Sequence, residues 1–446
     1  MVSRKAIPIF GMAFLLVLRI MQMDLLYPVY KENPSIQTDT RKLQPGDLYF
    51  ALKGPRFNGN LFAMQALEKG AAYVVVDEWQ QGLPPSRTFL VEDVLDTLQQ
   101  LALYHRQQLG IPVLAITGSN GKTTTKELIH AVLSTTYTTY TTVGNLNNHI
   151  GIPLTLLSIR EDAQIAVIEM GANHQKEIEG YCRYALPTHG LITNVGKAHL
   201  EGFGGPEGVR KGKGELYDFL RAHEGTAFVM WDYDYLREMS RGIPHLVTYG
   251  SSEADIQGRV HQGEPFLEVD ILQAAGKKTI HTQLVGSYNL PNVLAAVAVG
   301  RYFKIPDDKI GLAIESYVPS NSRSQLVEKK SNHIILDAYN ANPSSMKAAI
   351  ENFAALQAGQ KILLLGAMAE LGEDSLAEHE SMVRLIARYP WTEVVLVGGD
   401  FMRIPHPFKR FATVTEAKAW LDQQDFRGSY WLIKGSRSMQ MEKLLG

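Results

Sequence analysis

Short runs of apolar residues alternate with amphipathic stretches through the last third of the chain. Continuous apolar runs are typical of buried strands, and apolar residues repeating every three or four positions are typical of helices. The predicted strands are His333–Ala338, Lys361–Leu365, Glu393–Gly398 and Tyr430–Lys434. The predicted helices between them lie near residues 344–357, 375–389 and 415–423. This alternation predicts a parallel sheet covered by helices on both faces.

The first two thirds of the chain contain the same two patterns in shorter pieces. Strands are predicted at residues 36–40, 47–52, 72–76, 113–117, 165–170, 190–195 and 226–231. Helices are predicted at residues 93–108, 122–134 and 289–303, and Asn60 is predicted to cap a helix that ends near Gly70. The fold class predicted for the whole chain is therefore α/β.

Helix-breaking residues divide these elements into three predicted domains. Gly110-Ile-Pro112 follows one helix, and Pro306 and Pro319 follow another. We predict a small α/β domain over residues 21–108, a central domain with a mainly parallel sheet over 109–317, and a Rossmann-like α/β domain over 318–446.

The first 20 residues are read separately from these domains. Arg4 and Lys5 precede an apolar run from Ala6 to Leu18, which is shorter than the roughly 20 residues that a spanning helix needs. We interpret residues 1–20 as an extension or a misassigned start, with Met21 or Met23 opening the first domain, and expect no stable membrane insertion. A membrane anchor and an export signal are the alternatives.

Composition and charge exclude several classes of protein. Lys and Arg number 44 against 46 Asp and Glu, so the chain lacks the excess positive charge that non-specific nucleic-acid binding requires. Apolar residues make up 45% of the chain, which excludes intrinsic disorder. Cys182 is the one cysteine, so no disulfide forms within the chain and a reducing, cytoplasmic location is expected.

A glycine-rich loop joins the strand at 113–117 to the helix that begins at Lys122. Backbone N–H groups of such a loop and of the helix N-terminus can surround a polyphosphate. Lys122 can reach the phosphates, and the Thr123 hydroxyl can bind Mg²⁺. Ile116 stands where the usual phosphate-loop pattern has its first glycine, but strand, glycines and helix are all in place. The loop predicts ATP binding by Gly118, Ser119, Asn120, Gly121, Lys122, Thr123 and Thr124.

A phosphate loop is compatible with a kinase, an ATPase or a ligase, and the rest of the chain carries a resemblance that separates them. The motifs are TGSNGKTTTKE from Thr117, GNLNNHIGIPLT from Gly144, EMGA from Glu169, NVGKAHLEGF from Asn194 and KGKGE from Lys211. Further motifs are TDTR from Thr38, ALKG from Ala51, DAYNANP from Asp337, LGAMAELG from Leu365 and KGSR from Lys434. Their order and spacing resemble the Mur ligase family, from Met21 to the end of the chain. Within that family, the asparagine-rich run is similar to the members that add D-alanyl-D-alanine to UDP-N-acetylmuramoyl-tripeptide.

The resemblance implies an ATP-dependent ligase with a particular set of catalytic groups. Lys122, Glu169, His199 and Lys213 are the implied catalytic residues, with Mg²⁺, expected as two ions, held by Thr123, Glu169, His199 and Lys213 as a carbamate. Imidazole is an unusual Mg²⁺ ligand, so the assignment of His199 depends on the resemblance alone. The position of Glu169 at the C-terminal end of a predicted strand also favours a Mg²⁺ ligand, because ligands of open α/β sheets bind at that edge. The alternatives are a solvated strand-end residue for Glu169, a structural histidine for His199 and a surface lysine in a basic stretch for Lys213.

The resemblance also implies residues that bind the substrates of the reaction. ATP would be held by Asn289, Asn292, Arg323, Asp337, Tyr339 and Asn340 in addition to the loop. The UDP-sugar peptide and the dipeptide would meet Thr38, Asp39, Thr40, Arg41, Asn145, Asn147, Asn148, Lys434 and Arg437. The structural alternatives are a helix cap for Asn289, an Asx turn for Thr38–Arg41, a loop network for the three asparagines, and exposed charges for Lys434 and Arg437.

Two other functions remain open at this point. One is a sister ligase that adds a single amino acid, although the DNPR motif of the diaminopimelate-adding members is missing from the chain. The other is a phosphate-loop protein that binds ATP without ligating anything. The expected protein is a monomer, and the third residue of the tripeptide is not determined by the sequence.

Overall fold

The computed structural model describes residues 23–272, 278–320 and 322–446. The interpretation of residues 1–20 therefore concerns a segment outside the described residues. Within the described ranges, no helix has both the length and the apolar character needed to cross a bilayer.

The N-terminal part contains a small parallel sheet. Helical residues 23–32 precede it. The strands of the sheet are β1 Ile36–Gln37, β2 Leu48–Phe50, β5 Tyr73–Val76 and β6 Thr88–Leu90. Between β2 and β5 lies a separate hairpin of β3 Lys53–Gly54 and β4 Phe57–Asn58. The helices are α1 Ala63–Glu68 and α2 Val94–Gln108. The sheet order is β1-β2-β5-β6, and β3 pairs with β4 in an antiparallel hairpin. Asp93 caps α2 by accepting a hydrogen bond from Asp96 N.

The predicted helix cap at Asn60 is wrong. Asn58 takes that role, since its side chain accepts from Asn60 N at the start of a short 3₁₀ helix that leads into α1. Asn60 is instead buried, and its side-chain amide donates to Asp77 Oδ1 at 2.7 Å. Sequence alone could not distinguish two asparagines that are two positions apart.

The middle of the chain builds a nine-stranded sheet. Its strands are β7 Val113–Thr117, β8 Thr139–Thr141, β9 Ile165–Glu169, β10 His189–Ile192, β11 Thr226–Met230, β12 His245–Gly250, β13 Ile256–Gln262, β14 Glu268–Ile271 and β15 Lys278–His281. Their order is β15-β14-β13-β12-β11-β10-β7-β9-β8. β7 pairs with β10, β10 with β11, β11 with β12 and β12 with β13, and all four pairs are parallel. β13 pairs with β14 and β14 with β15, and both of these pairs are antiparallel.

Helices accompany this sheet in the expected alternation. They are α3 Lys122–Leu133, α4 Gly151–Leu157, α5 Glu177–Ala185, α6 Leu200–Phe203, α7 Pro206–Ala222, α8 Asp234–Met239, α9 Leu290–Tyr302 and α10 Asp307–Ser316. The predicted strands at β7, β9, β10 and β11 and the predicted helices α3 and α9 are confirmed. The antiparallel strands were not predicted, because Ile256–Gln262 is mostly polar and contains no apolar run.

The last part of the chain is a six-stranded sheet with helices between its strands. The strands are β16 Gln325–Lys329, β17 Asn332–Asp337, β18 Lys361–Gly366, β19 Glu393–Val397, β20 Lys409–Phe411 and β21 Tyr430–Lys434. The helices are α11 Pro343–Ala355, α12 Ser375–Ile386 and α13 Val414–Leu421. The order is β16-β17-β21-β18-β19-β20, and only the β16–β17 pair is antiparallel. The predicted α/β class and parallel sheet are confirmed.

Packing divides the chain into two compact units. Among the described residues, the first comprises residues 23–113 together with Tyr140–Ile168 and Gly180–Leu186. The second comprises Leu114–Thr139, Glu169–Glu179 and Pro187–Gly446, and so includes the glycine-rich loop and the last sheet. The domain boundaries at residues 108 and 317 stay predictions.

A buried histidine in β10 makes the stability of the second unit depend on pH. His189 packs against the rings of Phe228, Tyr302 and Phe303, and burial lowers the pKa of His189 to about 4 from 6.5. The unfolded chain therefore takes up a proton first as the pH falls. The stability contributed by the neutral imidazole is complete above about pH 6.5 and is lost as the pH falls to about 4, an effect on the order of 3 kcal/mol.

We expect His189→Phe to reduce the loss of stability between pH 6.5 and pH 4, because phenylalanine keeps the ring packing and cannot be protonated. Thermal unfolding midpoints measured across this pH range test the expectation. The matched control is His245→Phe at an exposed histidine of β12. An unchanged pH dependence in His189→Phe would contradict it.

Candidate active site

The glycine-rich loop adopts a backbone conformation that favours glycine at two positions. Gly118 has a φ of +142° and Gly121 a φ of +79°. A Cβ atom on Gly118 would lie 2.0 Å from Thr193 Oγ1, so a side chain is excluded there by close approach as well. Gly121 is the N-cap of α3, and the loop thus leads directly into the helix N-terminus.

The loop that follows β10 holds the glycine-rich loop in place. Ser119 N donates to Asn194 O at 3.0 Å, and Asn120 N donates to Asn194 Oδ1 at 3.0 Å. Gly196 N donates to Ser119 Oγ at 2.9 Å. β7 and β10 are parallel neighbours, so their C-terminal loops meet at one sheet edge, where ligands of open α/β sheets bind.

Lys122 lies over the glycine-rich loop. Its Nζ donates to Gly118 O at 2.7 Å and to Ser119 O at 3.4 Å. Burial lowers the pKa of Lys122, the negative charge of Glu169 raises it, and the positive charge of Arg323 lowers it further. The amine is therefore placed where an anionic group entering the loop would stabilise its charged form. Thr124, the residue after Thr123 in α3, is half-buried.

Thr123 and Glu169 form a buried, hydrogen-bonded pair of oxygen groups. Thr123 Oγ1 donates to Glu169 Oε2 at 2.9 Å, and Glu169 is 1% exposed. The reading of Glu169 as a solvated strand-end residue is wrong, since β9 ends inside the structure at this carboxylate. A hydroxyl and a carboxylate are ligands that Mg²⁺ prefers.

Lys213 is 1% exposed and points into the interior from α7. Its Nζ donates to Ala172 O at 3.1 Å and lies 5.0 Å from the centre of the Phe203 ring. Burial, followed by the positive charge of Lys122, holds the pKa of Lys213 well below its ordinary value. The surface-lysine reading is therefore wrong, and burial shifts the amine toward its neutral form.

His199 is half-buried and has a left-handed backbone conformation, with a φ of 53°, immediately before α6. Its Nδ1 lies against Oε2 of Glu370, and the contact with His199 lowers the pKa of the Glu370 carboxyl. Glu370 belongs to the quoted LGAMAELG motif but was not predicted to contact this histidine, because the two residues are far apart in sequence. Across the described ranges, no three His, Cys, Asp or Glu residues cluster closely enough to hold a metal ion by themselves.

The two asparagines predicted to bind ATP on α9 are buried and bonded to each other. Asn292 Nδ2 donates to Asn289 Oδ1 at 2.7 Å, and Thr125 Oγ1 donates to Asn292 Oδ1 at 3.0 Å. Asn289 Nδ2 donates to Val285 O at 3.0 Å. Asn289 occupies the N-cap position of α9 without a capping side-chain hydrogen bond, so the helix-cap alternative is wrong.

Arg323 and Tyr339, two of the remaining predicted ATP residues, form an aromatic and basic cluster with Arg437, a predicted substrate residue. The Arg323 guanidinium lies 3.7 Å from the centre of the Tyr339 ring, and the Arg437 guanidinium lies 5.9 Å from it. The Arg437 side chain is 63% exposed and pairs with Glu442. The exposed-charge alternative thus holds for Arg437, whose role toward a ligand stays a prediction.

Lys434 differs from Arg437 because it is 2% exposed. Its Nζ pairs with Asp337 Oδ2 at 2.5 Å and donates to Asn340 O at 3.2 Å. The exposed-charge alternative is wrong for Lys434, since β21 and β17 are paired and place it beside Asp337.

The residues predicted to bind the UDP-sugar lie in the first unit. Asp39 Oδ1 accepts from Arg41 N at 3.0 Å in an Asx turn, and its carboxylate also pairs with the Arg41 guanidinium. The same pairing lowers the pKa of Asp39. Thr40 donates to Gln65 at 3.3 Å, and Thr38 N donates to the Gln37 side chain at 3.2 Å. The Asx turn at Thr38–Arg41 is confirmed. Binding of the UDP-sugar by these residues stays a prediction.

The asparagine-rich loop also lies in the first unit and precedes α4. Asn148 Oδ1 accepts from Ile150 N at 3.1 Å and from Gly151 N at 2.9 Å, which satisfies amides at the start of the helix. Asn147 N donates to Asn145 O at 2.8 Å. Asn148 thus has a structural role, and the side chain of Asn145 is exposed.

Comparison with known proteins decides the family. The Mur ligase family catalytic domain matches residues 34–106, the Mur ligase middle domain matches 116–300, and the Mur ligase glutamate ligase domain matches 322–436. UDP-N-acetylmuramoyl-tripeptide–D-alanyl-D-alanine ligase of Bacillus subtilis is 37% identical, with 94% of each chain covered. The enzyme of that name from Escherichia coli is 36% identical, with 92% of each chain covered. The chain belongs to the Mur ligase family.

Solved structures of Mur ligases share the fold. A structure of MurF from Acinetobacter baumannii has a TM-score of 0.84 at 31% identity, with 92% of each chain covered. MurF from Thermotoga maritima in complex with ADP has a TM-score of 0.82 at 27% identity, covering 93% of this chain and 96% of that one. The predicted three-domain Mur ligase architecture is confirmed by these similarities.

We expect Gly118→Ala to weaken ADP binding by about tenfold or more, because the added Cβ would meet Thr193 Oγ1 and the backbone would be strained at its φ of +142°. Isothermal titration calorimetry with MgADP measures this change. Gly110→Ala is the matched control, since a Cβ there meets nothing within 4 Å. Equal affinities in the two variants would contradict the expectation.

Proposed function

We propose that this Mur ligase joins D-alanyl-D-alanine to UDP-N-acetylmuramoyl-tripeptide with conversion of ATP to ADP and phosphate, giving the pentapeptide precursor of peptidoglycan. The curated relatives of this name match the chain over nearly its whole length. The observation that carries the proposal within the structure is the position of Lys122 over the phosphate-binding loop, together with the burial of Glu169 and Lys213. A protein that only binds nucleotide would not need the buried Lys213 there.

The chemistry of amide formation explains why such a site is needed. A carboxylate is a poor acyl donor, so its oxygen first attacks the γ-phosphoryl group of ATP and ADP leaves. The amine of the dipeptide then attacks the acyl phosphate, loses a proton and expels orthophosphate. The first step brings two anions together, so catalysis depends on charge neutralisation and alignment. Lys122 and the N-terminus of α3 supply the positive potential for the phosphates.

The residues of the site fit a magnesium ion. The Thr123 hydroxyl and the Glu169 carboxylate would hold it, and His199 would bind a second ion as the resemblance implies. When bound, Mg²⁺ neutralises phosphate charge and orients the transferred group. A single protein carboxylate suits an ion that takes its other ligands from water and nucleotide phosphates.

The environment of Lys213 fits its carbamylation. A neutral amine reacts with CO₂ and releases a proton, and burial beside Lys122 favours the neutral amine. The product is an anion that can bind a cation, whereas an ammonium would repel it. The amine also lies beside the ring of Phe203, and both side chains are buried.

The other predicted residues complete the proposal. ATP is held by the loop residues with Asn289, Asn292, Arg323, Asp337, Tyr339 and Asn340, and substrates by Thr38–Arg41, the asparagine-rich loop, Lys434 and Arg437. We propose that the reaction takes place in the cytoplasm, where ATP and reduced cysteine are both available, and that the enzyme acts as a monomer.

The proposed activity is tested by dipeptide-dependent ADP formation. With UDP-N-acetylmuramoyl-tripeptide and MgATP, we expect ADP and phosphate release to require D-alanyl-D-alanine. Labelling the peptidyl carboxylate with oxygen-18 should transfer one labelled atom to orthophosphate, because that oxygen leaves with the acyl phosphate. Stimulation by one free amino acid instead would show a sister ligase, and ADP formation that no acceptor stimulates would show a nucleotide-binding protein without ligase activity.

We expect Lys213→Ala to lower kcat by about 100-fold or more, because the variant cannot form the carbamate. Added acetate should restore part of the activity by supplying a carboxylate to the space that the side chain leaves. Lys211→Ala, on the exposed side of the same helix, is the control and should retain activity. Full activity of Lys213→Ala without acetate would remove Lys213 from the mechanism.

A further inference from the structure

Glu215 lies on α7 two residues after Lys213 and is buried. Its Oε1 accepts from Lys176 N at 2.6 Å, and its Oε2 accepts from Glu179 N at 2.9 Å. Both oxygens of one carboxylate therefore bind backbone amides of another segment. Such charge-assisted bonds are among the stronger ones in proteins, and the pair joins α7 to the start of α5.

The segment that Glu215 holds is also the segment that carries the partner of Lys213. Ala172 O accepts from Lys213 Nζ at 3.1 Å, and Ala172 lies between the carboxylate of Glu169 and the start of α5. Lys176 has a φ of +71°, a left-handed conformation that is unfavourable for lysine. The bond from its N–H to Glu215 stabilises this turn. α7 thus supplies both the Lys213 amine and the Glu215 carboxylate. Glu215 in turn holds the segment that carries Ala172 O, the hydrogen-bond acceptor of Lys213.

Close packing makes the position of this segment matter for Lys213. A Cβ atom on Gly202 would lie 2.3 Å from Asn173 O, so α6 and the segment are in direct contact. Gln175 Nε2 donates to Phe203 O at 3.2 Å, and the ring of Phe203 lies beside Lys213 Nζ. A displacement of residues 172–176 therefore changes the surroundings of the amine on both sides.

We propose that Glu215 is a positioning residue for Lys213, holding residues 172–179 so that the Lys213 amine is kept in the buried place where its carbamate forms. Glu215 touches neither nucleotide nor substrate in this role. The inference rests on the proposed function for the reaction that Lys213 serves. It adds a residue to which the sequence motifs assigned no role.

The test compares wild-type protein with Glu215→Gln in ¹³C-bicarbonate solution. Glutamine keeps the size of the side chain, but its NH₂ group faces one of the two backbone amides and leaves that amide unsatisfied. We expect faster hydrogen exchange at the Lys176 and Glu179 amides. We also expect the ¹³C carbamate resonance that Lys213→Ala lacks to fall about tenfold, and kcat to fall about 10- to 100-fold, with KM for MgATP nearly unchanged.

Charge alone predicts the opposite change in the carbamate signal. The negative charge of Glu215 raises the pKa of Lys213, so its removal would favour the neutral amine that CO₂ attacks. A loss of carbamate in Glu215→Gln therefore reports position. Glu215→Asp, which keeps the charge but shortens the side chain, should also lose signal. Glu416→Gln is the matched control, since that carboxylate accepts from Ala412 N at 3.0 Å near α13.

Several results would overturn the proposal. The first is an unchanged carbamate signal in Glu215→Gln, and the second is an equal loss of that signal in Glu416→Gln. The third is the absence of a Lys213 carbamate in the wild-type protein, even if that protein joins the dipeptide to the tripeptide. If the wild-type protein forms the carbamate but shows no dipeptide-dependent ADP release, the proposed function fails. The role of Glu215 is then still decided by the carbamate signal and the amide exchange.

Discussion

The free-energy cost of burying charged side chains determines the chemistry that this site favours. Glu169 at the end of β9 and Lys213 on α7 are each 1% exposed, and burial also lowers the pKa of the half-buried Lys122 at the start of α3. An isolated charge is expensive in such surroundings. Each of the three side chains has a hydrogen-bond partner: a loop carbonyl for each lysine and the Thr123 hydroxyl for Glu169. The positive charge of Lys122 lowers the pKa of Lys213, so the site favours anions and shifts Lys213 toward its neutral form.

The parallel sheet explains why these groups meet. β7 and β10 are neighbours in register, so the loops that follow them leave from the same edge. Ser119 and Asn120 then bond to Asn194 and Gly196, and the absence of a side chain at Gly118 allows the two loops to touch. The phosphate loop is therefore a two-loop structure, and its backbone geometry depends on a segment more than 70 residues later.

Polar contacts join the last sheet to these loops within the second unit. Asn342 Nδ2 donates to Asn120 Oδ1 at 2.8 Å, Lys197 N donates to Ser344 Oγ at 3.0 Å, and Lys197 Nζ pairs with Glu378 at 2.5 Å. His199 and Glu370 add a further pair. Groups of this kind can exchange their partners for water or ligand at small net cost, unlike an apolar core. The contacts suit a site that must accept and release a nucleotide.

The sequence by itself determined the α/β class, the central strands of the two larger sheets, the phosphate loop and the family, because these depend on apolar runs, glycine spacing and ordered motifs. It did not place Glu370 beside His199 or Glu215 beside Lys176 and Glu179, since those contacts join residues far apart in the chain. It also left the burial of Lys213, Lys434 and Glu169 open. Whether a charged residue is exposed depends on which helix face or strand end packs against a neighbour, and only the tertiary structure decides that.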